Sequence, residues 1–212
     1  MVRAARKSFP IMFYHIVCEG ASEVFYIEKI VQFLNNNGIH PEKTFKPYPP
    51  IITNNNNTLT DPMHLLEQAK KIKKDKNRFQ HPDEMYILLD KDIFSNGEYD
   101  ENIFRKECNL ESITPLFQQN NFEDFLVCHL NEEDVATWQA IVEENKVPMT
   151  GEQVKEKIVS IIPKYKKGSI PEDIQHVVFS FEALNKAISR SADSTIPFKS
   201  GLVDLLRKFL CK

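Results

Sequence analysis

No two of the four cysteines, Cys18, Cys108, Cys128 and Cys211, stand at a CxxC spacing, and they form no paired Cys/His pattern of the kind that holds zinc. That excludes a zinc ribbon or finger and gives no disulfide framework. The pattern fits a reduced cytoplasm. The chain also lacks any run approaching the ~20 apolar residues that a membrane-spanning helix needs. Its basic opening, MVRAARKSFP, is not followed by the apolar stretch and small-residue cleavage site of a secretory signal. A basic excess is missing too: the net charge is −3, so local patches must carry any attraction to a polyanion. There is no internal repeat. What remains is 212 residues, 42% of them hydrophobic, enough for one substantial core with length to spare.

Two stretches dominate that core. IMFYHIV, from Ile11, is a continuous, partly β-branched apolar run, and EMYILLD, from Glu84 to Asp90, is a second. Both read as buried strands. The first passes through Cys18-Glu19-Gly20 into a helical pattern in which Val24, Ile27, Val31 and Leu34 share a face, with Ser22 placed to cap the first turn and Gly38 to end it. Thr44 to Ile52 is extended but rich in proline, so it is an edge strand or a linker. Asn54 to Asn57 is a polar loop. Asp61 and Pro62 then open a helix whose apolar side carries Leu65, Leu66, Ala69 and Ile72 and whose end is a lysine run. That run is either a solvated helix terminus or a phosphate-facing patch.

Beyond Asp90, a short helix over 100–108 should turn Ile103 and Phe104 inward, and Ile113 to Phe117 is a weaker strand. Asn120 and Glu123 match a capping box at the head of an apolar helix. The remainder reads as helices over 132–145, 150–162, 181–191 and 201–210. Alternating strands and helices followed by helices predict an α/β fold: a small, mostly parallel sheet flanked by helices, with a C-terminal helical extension. The expected division is an α/β core over 1–130 and a helical extension over 131–212 packed on it.

Acids stand at the strand ends. Glu19 and Glu23 follow the first strand, Asp90 and Asp92 the second long one, and Glu123 the weak one. In a parallel sheet these ends share one edge, where ligands bind. Carboxylates gathered there repel one another unless a hard divalent cation joins them, and Mg²⁺, or Mn²⁺ in its place, is the usual choice beside phosphate. Glu19, Glu23, Asp90, Asp92 and Glu123 are therefore the candidate ligands. Glu123 has the capping box as a competing explanation, and Glu19 could be ligand or general base. Lys164, Lys166 and Lys167 flank Tyr165 and could face a phosphate or only solvent. His129, without a partner at ligand spacing, reads as a packed or a surface histidine, not a ligand.

Glu19-Gly20 after one strand and Asp90-Lys91-Asp92 after another resemble the TOPRIM fold of topoisomerases, primases and OLD-type nucleases. The finer resemblance is to RloB-like proteins. It rests on Val17-Cys18-Glu19-Gly20, on Asp90 and Asp92, on Asn120-Asn121-Phe122-Glu123 with His129, and on Tyr165-Lys166-Lys167-Gly168. It extends over roughly residues 10 to 210. The turn after Gly20 is one residue shorter than the usual RloB form, which leaves the role of Glu23 open. Asp124-Phe125 stand where a Trp is usual. The resemblance implies Mg²⁺-dependent phosphodiester cleavage, with Glu19, Asp90, Asp92 and Lys166 catalytic and Lys164, Lys166 and Lys167 on the nucleic acid. It also implies an ATPase partner in a bacterial anti-phage defence system. Two other readings stand beside it: a regulatory TOPRIM subunit of an ATPase complex, and a small RNA-maturation nuclease. DNA and RNA are both open as substrate, and so is a homo-oligomer.

Overall fold

The computed structural model describes residues 12–39, 43–52, 58–80, 83–95, 97–119, 121–145, 149–166 and 168–210. Ile11, Asn54 to Asn57, Asn120, Lys167 and Cys211, each named above, lie outside them. In chain order the elements begin with β1 (Met12–Cys18), α1 (Ala21–Asn36), β2 (Lys43–Tyr48), β3 (Ile51–Ile52), β4 (Thr58–Leu59) and α2 (Pro62–Lys74). Next come β5 (Glu84–Asp90), a 3₁₀ turn (Lys91–Phe94), α3 (Glu101–Leu110) and β6 (Thr114–Gln118). Six helices follow among the described residues: α4 (Phe122–Val127), α5 (Glu132–Glu144), α6 (Gly151–Ile158), α7 (Glu172–Val178), α8 (Phe181–Ala192) and α9 (Leu202–Leu210).

The two apolar runs are the central strands of a four-stranded sheet with order β2-β1-β5-β6, every pair parallel. Parallel neighbours require crossover helices, and these sort to both faces. Tyr14, Ile16 and Cys18 of β1 pack with Tyr26, Ile27, Ile30 and Leu34 of α1 on one face. Val17, Ile87 and Leu89 pack on the other with Leu65, Leu66, Ala69 and Ile72 of α2 and Phe104 and Cys108 of α3. Strand periodicity divides each run between the two cores. From β1 the chain runs outward to β2, then crosses back past β1 to β5. The reversal therefore falls between β1 and β5, and the carboxyl ends at such a reversal are where open α/β sheets bind ligands.

The C-terminal helices close the α1 face. Trp138, Leu184, Phe198 and Leu205 belong to the same buried cluster as Ile16 and Tyr26. Arg190 of α8 is buried and donates to the carbonyls of Cys128, at 2.9 Å, and Leu130, at 2.7 Å, and it pairs with Glu132. Residues 199–201 run along the outer edge of β6: the Gln119 amide donates to the Lys199 carbonyl and the Gly201 amide to the Phe117 carbonyl, both at 2.8 Å. A Cβ on Gly201 would stand 2.9 Å from Leu116 Cα, so only glycine permits this approach.

Several local expectations change. The proline-rich segment is the edge strand β2, where Pro47 is tolerated, and β3 and β4 add an unexpected antiparallel pair. On α1 the fully buried face is Ser22, Glu23, Tyr26, Ile27, Ile30 and Leu34, so Val24 and Val31 lie at its margin. Ile103 is 59% exposed because Phe104 and Cys108 set the inward phase of α3. The short helix α7 was not expected. Cys18, Cys108 and Cys128 are buried free thiols. No helix among the described residues is long and apolar enough to cross a membrane.

Candidate functional site

Glu19 and Asp90 leave adjacent strands at the β1–β5 reversal. The Glu19 amide donates to the Leu88 carbonyl at 3.0 Å, and Glu19 Oε2 accepts the Asp90 amide at 2.7 Å. One acid thus orients the backbone of the other. Asp92 follows in the 3₁₀ turn, half-buried. Glu23, in the first turn of α1, is only 4% exposed and folds back over the helix start, where a Cβ on Gly20 would stand 2.6 Å from Glu23 Oε2. Glu123 enters on α4, 9% exposed.

The electrostatics show that these groups share one environment. The Asp90 carboxyl is pushed well above the usual carboxylate range, first by burial and then by the negative charges of Glu19, Glu23, Asp92 and Glu123. Four of the five candidate ligands thus act on the fifth. Asp90 Oδ1 is closed off from solvent and has no hydrogen-bond partner among the described residues. A buried acceptor flanked by four carboxylates suits a hard divalent cation, which bonds to oxygen and removes the repulsion. As they stand, no three His, Cys, Asp or Glu side chains among the described residues converge closely enough to hold an ion. Binding would have to draw them together.

The N-cap of α4 is Asn121, whose side chain accepts the Asp124 amide at 3.0 Å. That places Asp124, not Glu123, at the third helical position, and Asp124 Oδ1 accepts from the Trp138 indole at 2.8 Å. The capping box expected for Glu123 is not formed. Its Oε1 instead accepts the Tyr165 hydroxyl at 2.8 Å. Ser22 is likewise no cap, because the α1 N-cap is Gly20. The Ser22 hydroxyl accepts the Gly168 amide at 2.9 Å and lies 3.3 Å from the Tyr165 hydroxyl. Tyr165 has one proton and gives it to the carboxylate, so the Ser22 proton bridges the two hydroxyls. A line of hydrogen bonds thereby ties the 165–168 turn to α1 and α4.

That turn carries the lysines. Lys166 is exposed, and Lys164, held at φ 66°, pairs with Asp173 at 3.3 Å. Lys167 lies outside the described residues. The lysine run of α2 ends at the opposite, amino edge of the sheet, where Lys73 donates to the Glu111 and Ser112 carbonyls before β6. It is a helix terminus remote from the acids. His129 takes the packed of its two expected placements: its Nδ1–H faces the Phe125 and Leu126 carbonyls, and Nε2 accepts the Tyr26 hydroxyl at 2.8 Å.

Sequence reasoning passed over Gln118. It is fully buried at the end of β6, in register with Asp90, and neither its Oε1 nor its Nε2 has a partner among the described residues. A glutamine at the end of a weak strand carries no chemical signature of its own. Only the register shows what it stands beside.

The family model described as RloB-like protein matches residues 14–200, which takes in all of the sheet but the first two residues of β1, the acids and the Tyr165 turn. No curated protein and no solved structure matches the chain. With nearly its full length covered by that one match, the chain belongs to the RloB-like family.

Proposed function

We propose that the chain is a TOPRIM-type nuclease that cleaves phosphodiester bonds with Mg²⁺ or Mn²⁺ at the carboxyl edge of its sheet. The observation that carries the reading is Asp90, with its unpartnered buried oxygen under the combined charge of Glu19, Glu23, Asp92 and Glu123. Glu19, Asp90 and Asp92 would hold the cation, with Glu23 and Glu123 at its margin. When bound, it supplies polarisation of the scissile phosphate and a water acidified toward neutrality.

The chain's own groups do the rest. Glu19 keeps the backbone of Asp90 oriented through its amide. Tyr165 holds one oxygen of Glu123, which fixes that carboxylate before any ligand arrives. Lys166, exposed on the turn that Ser22 and Tyr165 anchor, offers its charge to the backbone of the nucleic acid. A net charge of −3 gives weak long-range attraction, which supports a nuclease that gains affinity from a partner. We assign that role to an ATPase, with the pair acting in anti-phage defence. One observation favours the second reading, a regulatory subunit without turnover: the acids as placed do not converge on a single ion.

Incubation with labelled DNA and RNA separates the two. Cation-dependent cleavage by the wild type, lost in Asp90→Asn/Asp92→Asn with the melting temperature retained, supports the nuclease. Equal product from both proteins refutes the assignment of the site, and no product from either on any substrate leaves the regulatory reading.

A further inference from the structure

We infer that Gln118 is a positioning residue of the cation site, acting through Asp90. The inference rests on the proposed reading of the acidic edge. It starts from a pairing the sheet imposes: Asp90 and Gln118 are register partners on parallel strands, so their side chains leave the same face of the sheet side by side. Leu88 and Leu116, one pleat earlier, show which face, since both pack into the core on the α1 side.

Both partners are electrically incomplete. Asp90 Oδ1 and both polar atoms of Gln118 are buried without a hydrogen bond to any described residue. Gln118 is completely inaccessible, and Leu116, two residues before it on β6, and its bridge partner Ser200 are buried too. An unpaired buried amide is destabilising, and such groups are few in folded proteins. A core position that needed only volume would be better filled by Met or Leu. The amide makes sense where something further is to be bound beside it.

Mg²⁺ and Mn²⁺ keep part of their water shell when they bind carboxylates, and those waters need acceptors and donors around the ligand set. An amide supplies both. Gln118 Oε1 can accept from water on a cation held by Asp90, and Nε2 can donate to the Asp90 carboxylate. Residues that orient ligands in this way typically change metal affinity by about 10- to 100-fold when replaced.

Gln118→Met keeps the length and removes the amide, and Gln118→Leu is a second apolar replacement. Thermal melting of the cation-free proteins and calorimetric titration with Mn²⁺ form the test. The expected result is a melting temperature raised by a few degrees in at least one variant, together with Mn²⁺ affinity about tenfold weaker in both. A purely structural amide would give the reverse: a lower melting temperature with affinity unchanged. Affinity equal to wild type in a variant that folds overturns the inference and leaves the cation site standing. Absence of Mn²⁺ binding by the wild type overturns the inference and the reading beneath it together.

Discussion

Acidification from pH 7.5 to pH 5 should weaken this fold through one buried imidazole. His129 is 1% exposed, with both ring nitrogens engaged: Nδ1–H toward two carbonyls of α4 and Nε2 accepting from Tyr26. Burial, aided by the Arg190 charge and opposed by the carbonyls, lowers its pKa from 6.5 to about 4. The sign follows from the depression. Between those values the unfolded chain binds a proton that the folded chain refuses, so the contribution is intact above pH 6.5 and is lost as the pH falls toward 4. At pH 5 the unfolded state gains about 1.5 decades of protonation, or about 2 kcal/mol at 1.36 kcal/mol per unit. With a urea dependence of about 2 kcal/mol/M, the midpoint should move by roughly 1 M. His129→Gln removes the titration and leaves every other group in place. Urea unfolding of both proteins at pH 5, 6 and 7.5 isolates the effect, because His15 and the carboxylates contribute equally to each. Parallel pH profiles for wild type and variant would refute the argument.

Three further outcomes follow from the geometry. Gly20→Ala puts a methyl group 2.6 Å from Glu23 Oε2; the flexible carboxylate swings aside, so melting should change by under about 3 °C, as expected for less than about 1 kcal/mol, while Mn²⁺ affinity in a calorimetric titration falls several-fold. Tyr165→Phe keeps the buried ring and deletes the donor to Glu123, which should cost about 1 kcal/mol in urea unfolding and weaken Mn²⁺ binding; full affinity would show that Glu123 needs no anchor. Arg190→Ala leaves the Cys128 and Leu130 carbonyls unpaired inside the helical cluster and should cost about 2–4 kcal/mol by the same measurement, with Arg190→Lys only partly restoring it.

The parts of this molecule that were legible in its sequence are those set by a single pattern. Ile16 and Val17, or Ile87 to Leu89, are buried whichever way the sheet is covered, so a continuous apolar run suffices to place them. Glu19 and Asp90 were legible because a strand end in a parallel sheet has only one place to be. Details chosen between near-equal neighbours were not. Asn120 and Asn121 offer the same capping chemistry, and the use of Asn121 moves Asp124 into the box position and releases Glu123 to Tyr165. Ser22 has the composition of a cap, but Gly20 starts the helix and the hydroxyl goes to a turn 146 residues away in sequence. Of Ile103 and Phe104, both apolar and both expected inward, packing buries Phe104 and leaves Ile103 exposed. Gln118 acquires meaning only from its neighbour across the ladder.

The proposed nuclease reading requires a divalent-cation site at the carboxyl edge between β1 and β5. Diffraction at the manganese absorption edge from a crystal soaked in Mn²⁺ tests it most directly. An anomalous peak within bonding distance of Asp90 Oδ1 and carboxylate oxygens of Glu19 or Asp92 is the predicted result. A fully occupied peak elsewhere, with that edge empty, would contradict it.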